Sequence, residues 1–188
     1  MTTTTSTSNI DQAGAYPMAF NILENISLCR LGGFAGSNPE VLGSVLPISN
    51  TEEKLLLDKA LPHGVEPGKL IVERLNNKFI ISYVFSMKAK DPGVRDDLAS
   101  IASVVPADKR VNIDAFQILF KLVIDSFIAE IGQVDITKLK YMIERVYNGI
   151  NKGEKISIEN VIVDVPTIVK NKKLRLVTEV EKIAGRIL

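Results

Sequence analysis

The stretch from Lys69 to Pro106 constrains the fold more than any other part of the chain. It contains two runs of β-branched and aromatic residues, Lys69 to Leu75 and Phe79 to Met87. Between them stands Asn76-Asn77, and asparagine tolerates the positive φ angles that a tight hairpin turn needs. The pattern therefore predicts two antiparallel strands joined as a hairpin.

A third apolar run, and the residue pattern of Phe79 to Met87, predict how the sheet and helices pack together. A turn signal at 91–93 precedes an apolar strand from Leu98 to Val105, which completes a three-stranded meander. Both faces of Phe79 to Met87 carry apolar or small residues, which is typical of a strand buried on both sides. Small residues let helices approach the third strand closely: Ala99, Ser100, Ala102 and Ser103. We therefore expect an antiparallel sheet with helices on both faces.

Two more strands and a short helix are predicted before the meander. Ile26 to Leu31 and Val41 to Ile48 form strands on either side of a glycine-rich turn, and Pro47 is typical of an edge strand. Ser49 supplies a helix cap followed by acidic residues, and Pro62 ends the leucine-rich helix.

Two longer helices are predicted after the meander. Ile113 to Ile131 has a narrow polar stripe at Asp114, Gln117, Lys121 and Asp125. Its other sides carry more apolar surface than packing on one sheet requires, so we expect it also to contact another helix or a partner. The next helix ends before Gly153 and has the apolar stripe Ile136, Leu139, Ile143, Val146 and Ile150. Together they form an α-hairpin over one sheet face.

The two ends of the chain differ from the middle. Residues 1–18 are rich in Thr and Ser and predict a disordered tail before a domain at 19–153. Residues 154–188 predict an extension with a β-branched strand and a helix that begins at Pro166. The extension contains a basic cluster at Lys170, Lys172, Lys173 and Arg175. That cluster is open to three interpretations: a solvated helix face, an anionic membrane surface, or nucleic acid.

Few residues offer catalytic chemistry. The net charge of +1 gives no global attraction for nucleic acid. Cys29, the single cysteine, is predicted to be a buried apolar side chain, and His63, the single histidine, a solvated loop residue. Gly32, Gly33 and Gly36 lack the spacing of a phosphate-binding loop, since Leu31 stands where a glycine is needed. Asp96-Asp97 is predicted to be exposed to solvent at the start of the strand that begins at Leu98. No cofactor or metal site is expected.

The order strand, strand, helix, three strands, helix, helix resembles longin-like domains, which are profilin-like modules of membrane-traffic and small-GTPase regulatory proteins. The phrases LPHGVEPGKLIVERLNNKFIISYVFS and RDDLASIASVV carry the resemblance, which covers roughly residues 22–152. It implies an α+β fold with a five-stranded antiparallel sheet in the order 2-1-5-4-3, one helix on one face and two on the other. Residues 156–188 depart from the basic pattern. The family has no catalytic signature, so no active-site residue is implied.

These observations favour a non-enzymatic protein-interaction module. The resemblance implies a scaffold or regulatory subunit that engages a small GTPase or another longin or roadblock-type domain, as a homo- or hetero-oligomer. The alternative is a small-molecule sensor with a pocket between sheet and helix, lined by Tyr83, Phe85 and Phe116, and a carboxylate enzyme is a third hypothesis. In the implied strand order the third strand is an edge, and the expected interface comprises Lys69, Ile71, Glu73 and Leu75. Without a secretory signal, the protein is expected in the cytoplasm, with at most peripheral membrane association.

Overall fold

The structure is a computed structural model that describes residues 21–88, 95–109, 111–131, 136–158 and 161–164. Side chains are described within these ranges except at 127–131, 158, 161, 163 and 164. Several predictions fall outside this part of the chain. They concern the Thr/Ser-rich tail, the turn at 91–93, the basic cluster and the helix that begins at Pro166.

The part of the chain that the structure describes forms one five-stranded sheet, three helices and a small hairpin. In order, the elements are β1 (Asn25–Leu31), β2 (Glu40–Ser44), α1 (Asn50–Ala60), β3 (Leu70–Leu75), β4 (Lys78–Met87), β5 (Asp97–Pro106), α2 (Ile113–Ile131), α3 (Ile136–Lys152), β6 (Lys155–Ile158) and β7 (Val161–Asp164). The main sheet has the order β2-β1-β5-β4-β3, with every pair antiparallel. The predicted fold class is confirmed.

The meander forms where its sequence pattern predicted it. Asn76 adopts a φ of 55° in the turn between β3 and β4, a left-handed conformation that asparagine tolerates. β4 is then paired along its whole length with β5, from Lys78 opposite Pro106 to Met87 opposite Asp97. Because β5 also pairs with β1, it lies at the centre of the sheet.

The sheet is buried on both faces, as the pattern of β4 predicted. On one face the odd-numbered residues of β4 pack with α2 and α3, and Phe120, Leu139 and Ile143 are among the buried helix residues. On the other face Ile80 and Val84 pack with Leu56, Leu57 and Ala60 of α1. These two clusters place α1 on the opposite side of the sheet from α2 and α3.

β2 is shorter than predicted. It ends at Ser44 rather than at Ile48, so Pro47 lies beyond the strand. The segment after Ser44 crosses towards α1, which begins with a complete capping box. Ser49 Oγ accepts a hydrogen bond from Glu52 N–H at 3.3 Å, and a Glu52 carboxylate oxygen accepts one from Ser49 N–H at 2.9 Å. The pKa of the Glu52 carboxyl is lowered below its ordinary value, first by the bond from Ser49 N–H and then by a second bond that Ser49 Oγ–H donates to the same carboxylate oxygen at 2.8 Å.

The C-terminal end of α3 is fastened to the start of β1 by Asn151. Its side-chain oxygen accepts a hydrogen bond from Leu23 N–H at 2.7 Å, and its side-chain nitrogen donates one to Leu23 O at 3.0 Å. The backbone oxygen of Asn151 accepts a further bond from Asn21 N–H at 3.1 Å. One buried amide therefore satisfies both backbone groups of Leu23.

The predicted β-branched segment after α3 is the antiparallel hairpin of β6 and β7, separate from the main sheet. Ile156 of β6 is buried in the core cluster of α2 and α3. It fits there because α3 has a glycine, Gly149, at the point of contact. The described start of the extension therefore packs against the domain itself.

Adding one methyl group at Gly149 will destabilise the protein, although alanine favours helix. A Cβ at this position would lie 2.2 Å from Ile156 Cγ1, so Ile156 has to move. Overpacking of this kind costs about 1–3 kcal/mol, against the gain of about 1 kcal/mol of alanine over glycine in a helix. We expect Gly149→Ala to lower the unfolding free energy measured in urea. In Gly149→Ala/Ile156→Ala the loss should be smaller than the sum of the single losses, and strict additivity would contradict the contact.

Candidate partner-binding surface

β3 is an edge strand of the main sheet, because among the described residues it pairs with β4 alone. Edge strands present unpaired backbone groups to other chains unless something covers them. Which groups β3 presents depends on its register with β4. Val84 N–H donates to Lys69 O at 2.9 Å, and Val84 O accepts from Gly68 N–H at 2.7 Å. The backbone groups of Val84 therefore face β3.

The N–H and C=O groups of successive residues point to alternate sides of a strand. Those of Ser82, two residues from Val84, therefore also face β3, where Ile71 is their partner. The pairing of β4 with β5 gives the same alternation. Asn77 O accepts from Ala107 N–H at 2.8 Å, so the backbone groups of the odd-numbered residues of β4 face β5. Ile71 is therefore bonded within the sheet. The outward backbone groups belong to the alternate residues of β3, namely Leu70, Val72 and Arg74.

The residues of the expected interface take different positions along this edge. Lys69 is exposed just before the strand. Ile71 and Leu75 are half-buried and pack against the core cluster beneath α1, and Glu73 lies between them on the same face. Val72, which the sequence interpretation did not include, is an exposed apolar side chain at the middle of the edge. Val72 alternates with the residues of the expected interface, so the sequence placed it on the other face of the same strand.

A groove lies at the Leu75 end of this edge, between α1 and the β3–β4 turn. Its volume is about 290 Å³, and its apolar lining includes Leu46, Pro47, Ile48, Leu55, Leu56, Leu75, Ile80 and Val104. Leu46 and Leu55 are 45% and 41% exposed. Charged side chains stand at its rim, where Lys78 pairs with Glu24 at 2.5 Å. Leu75 belongs both to β3 and to the groove, so the edge and the groove form one continuous surface.

α2 carries a second exposed apolar surface on the opposite sheet face. Ile118 and Leu122 are one helical turn apart, and 50% and 42% of their areas are exposed. The predicted polar stripe of α2 is exposed as well, and Lys121 pairs there with Asp125. The expected apolar excess of this helix is confirmed.

The residues that the sequence analysis considered for catalytic chemistry do not lie together in one site. Cys29 is fully buried, and burial raises the pKa of its thiol to about 12, which leaves it unreactive. His63 is exposed in its loop. Asp97 accepts a hydrogen bond from Gly33 N–H at 2.8 Å and lies 3.7 Å from Arg30, so it holds the β1–β2 turn to β5. Ser86 Oγ lies 3.2 Å from Asp96 at the same strand entrance.

The glycine turn between β1 and β2 serves close packing. A Cβ on Gly33 would lie 1.9 Å from the backbone oxygen of Arg95, so only glycine fits there. A shallow cavity of about 600 Å³ borders this contact, with Phe34, Glu66, Pro67 and Leu98 among its lining residues.

The side chains expected to line a sensor pocket lie in the core. Tyr83, Phe85 and Phe116 are all buried in the cluster of α2 and α3, and burial raises the pKa of Tyr83. The cavities described above are lined by other residues. Within the described ranges, no group of three His, Cys, Asp or Glu residues could hold a metal ion. Nor does any helix in that part of the chain combine the length and apolar character needed to cross a membrane.

No model of a known protein family matches this chain, and no curated protein matches it.

Proposed function

We propose that this protein is a non-enzymatic interaction module of the longin-like kind, in which a partner strand adds to the outer edge of β3. The single observation that carries the proposal is the open edge, with outward backbone groups at Leu70, Val72 and Arg74, continuous with an apolar groove. Main-chain hydrogen bonds to an edge give affinity, and side-chain pockets beside it give specificity.

The groove supplies the specificity in this proposal. A partner strand beside β3 places alternate side chains on the α1 face, where Ile71 and Leu75 are half-buried and the groove begins. An apolar partner side chain there buries the exposed parts of Leu46 and Leu55. Lys69, Glu73 and Arg74 protect the edge from unspecific pairing and select a partner with complementary charges.

The partner class rests on the resemblance of the element order and phrases to longin-like domains. The strand order matches the one that the resemblance implies. We therefore propose a small GTPase or a longin or roadblock-type domain as partner, in a homo- or hetero-oligomer that acts in cytoplasmic membrane traffic. The small-molecule alternative has two cavities in its favour, the one of about 600 Å³ beside the β1–β2 turn and the groove itself. The groove volume of about 290 Å³ is at the lower limit of ligand pockets, roughly 300–1,000 Å³, and the groove is open to solvent.

Proline at Val72 will weaken assembly at least tenfold while the fold is retained. The Val72 N–H faces outward, so proline there removes a donor that β4 does not use. Proline at Ile71 removes a donor within the sheet and should instead unfold the β3–β4 hairpin. Analytical ultracentrifugation of the full chain, and affinity capture followed by identification of the captured protein, measure assembly, and circular dichroism measures folding.

The matched control is Val72→Thr, which keeps the N–H and the β-branched shape and should assemble like the wild type. Equal assembly of Val72→Pro and wild type would refute the edge as interface. A wild-type chain that stays monomeric at micromolar concentration and captures no protein would refute the interaction module.

A further inference from the structure

The outward side of α3 carries a stripe of positive charge. α3 contains four basic residues and one acidic residue, Glu144. Lys138, Tyr141, Arg145 and Lys152 follow one another at helical spacing on the side away from the core. The Arg145 guanidinium lies 5.6 Å from the centre of the Tyr141 ring, so the aromatic and basic groups form one surface. Tyr141 is 62% exposed.

The β6–β7 hairpin extends this surface. Ile156 packs at Gly149, and Gly149 is one helical turn from both Arg145 and Lys152. The hairpin therefore lies beside the basic stripe. Ile156 points into the core, so the opposite face of the hairpin points outward. Ile162 is on that outward face, opposite Ser157, and it is 69% exposed.

The charge of the chain is divided between its two parts. Residues 136–188 contain eleven Lys and Arg against six Asp and Glu, whereas residues 1–135 contain twelve against sixteen. In the sequence, the basic cluster from Lys170 to Arg175 begins six residues after the last residue of β7. A net charge of +1 thus conceals a basic C-terminal part joined to an acidic remainder.

We propose that the outward surface of α3 and the β6–β7 hairpin docks on an anionic membrane surface. Lysine and arginine side chains are attracted to the negative surface of an anionic leaflet. Tyrosine is favoured at the level of the lipid headgroups, and an exposed isoleucine gains by leaving water there. Tyr141 and Ile162 are therefore the inserted side chains, with Lys138, Arg145 and Lys152 around them. A nucleic-acid surface would need several stacking aromatics, and α3 offers one exposed tyrosine among its basic residues.

This docking leaves the proposed partner site accessible. α3 and α1 lie on opposite faces of the sheet, and the groove is on the α1 face. The proposal is independent of the proposed function, because membrane binding is measured without any protein partner.

Vesicle co-sedimentation of the full-length chain tests the proposal. We expect binding to vesicles of phosphatidylcholine with 30% phosphatidylserine, loss of that binding in 0.5 M salt, and no binding to pure phosphatidylcholine. Lys138→Glu/Arg145→Glu should bind the anionic vesicles at least tenfold more weakly. The matched control is Lys54→Glu/Lys59→Glu, which makes the same charge change on α1 and should bind like the wild type. Circular dichroism checks the fold of each variant.

A fluorescent reporter tests the orientation without changing charge. The chain has no tryptophan, so Tyr141→Trp places a single one on the docking surface. We expect its emission to shift to the blue with anionic vesicles, whereas the emission of Leu55→Trp on α1 should not shift.

Three results would overturn the proposal. The first is a wild-type chain that fails to bind anionic vesicles, or binds both vesicle types equally. The second is undiminished binding by Lys138→Glu/Arg145→Glu together with an unshifted Tyr141→Trp emission. The third is capture of single-stranded RNA by the same residues at concentrations where vesicles are not bound.

Discussion

Replacing Phe116 by alanine will lower the free energy of unfolding by about 3–5 kcal/mol, the range for removing a fully buried phenylalanine. Phe116 is 5% exposed, in the core cluster between α2 and the sheet. Its ring meets that of Phe120 edge to face, with centroids 5.5 Å apart and planes at 72°. Such a pair contributes about 0.5–1.5 kcal/mol beyond the burial of area. Alanine leaves a cavity that the rigid sheet on one side cannot fill.

Urea unfolding followed by circular dichroism measures this loss. The matched control on the same helix is Ile118→Ala. Because half of Ile118 is exposed, its truncation should change the unfolding free energy by about 0.5 kcal/mol or less. A nearly neutral Phe116→Ala would remove this face of α2 from the core, and a large loss in Ile118→Ala would show that Ile118 is covered in the folded protein.

Asn151→Ala is expected to have the second largest effect, about 2–4 kcal/mol, since a buried polar group left without a partner costs about 1–3 kcal/mol. The substitution leaves two such groups, the N–H and the C=O of Leu23, which is 4% exposed. The loss should therefore appear as both a lower stability and faster amide exchange at Leu23.

Asn148→Ala is the matched control for this prediction. Asn148 is on the same helix and donates its side-chain hydrogen bond to Glu144 O at 3.0 Å, at an exposed position. Its replacement should leave both stability and exchange at Leu23 close to wild type. If Asn148→Ala and Asn151→Ala were equally stable, the buried amide would have no special role in joining α3 to β1.

Local patterns in the sequence were sufficient to predict most of the helices and strands. Asn76-Asn77 marked the β3–β4 turn, and the bounds predicted for α2, Ile113 to Ile131, are those of the structure. Both signals act over a few residues, where propensity and periodicity are strongest. β2 was predicted too long because Leu46, Pro47 and Ile48 are apolar like a strand, but they line the groove beside α1 instead.

The contacts that were missed join residues far apart in the chain. Asn151 and Leu23 are separated by 128 positions, and neither stands in a recognisable motif. The close approach of Gly33 to Arg95 is of the same kind. At the candidate surface, the edge strand followed from the resemblance, but the direction of its backbone groups did not. That direction depends on the register of the two strands, in which Lys69 O accepts from Val84 N–H and Ile71 lies opposite Ser82.

The central place of β5 has a consequence for the order in which the protein is synthesised. β1 leaves the ribosome long before β5, yet its second edge, from Asn25 to Leu31, is paired only by β5. At about 5–20 residues per second, the intervening chain takes several seconds to synthesise. During that interval the apolar Ile26 and Leu28 are part of a nascent hairpin with an open edge, which is an aggregation hazard. The meander, by contrast, joins strands that emerge one after another, so the half of the sheet made later is the half that can pair at once.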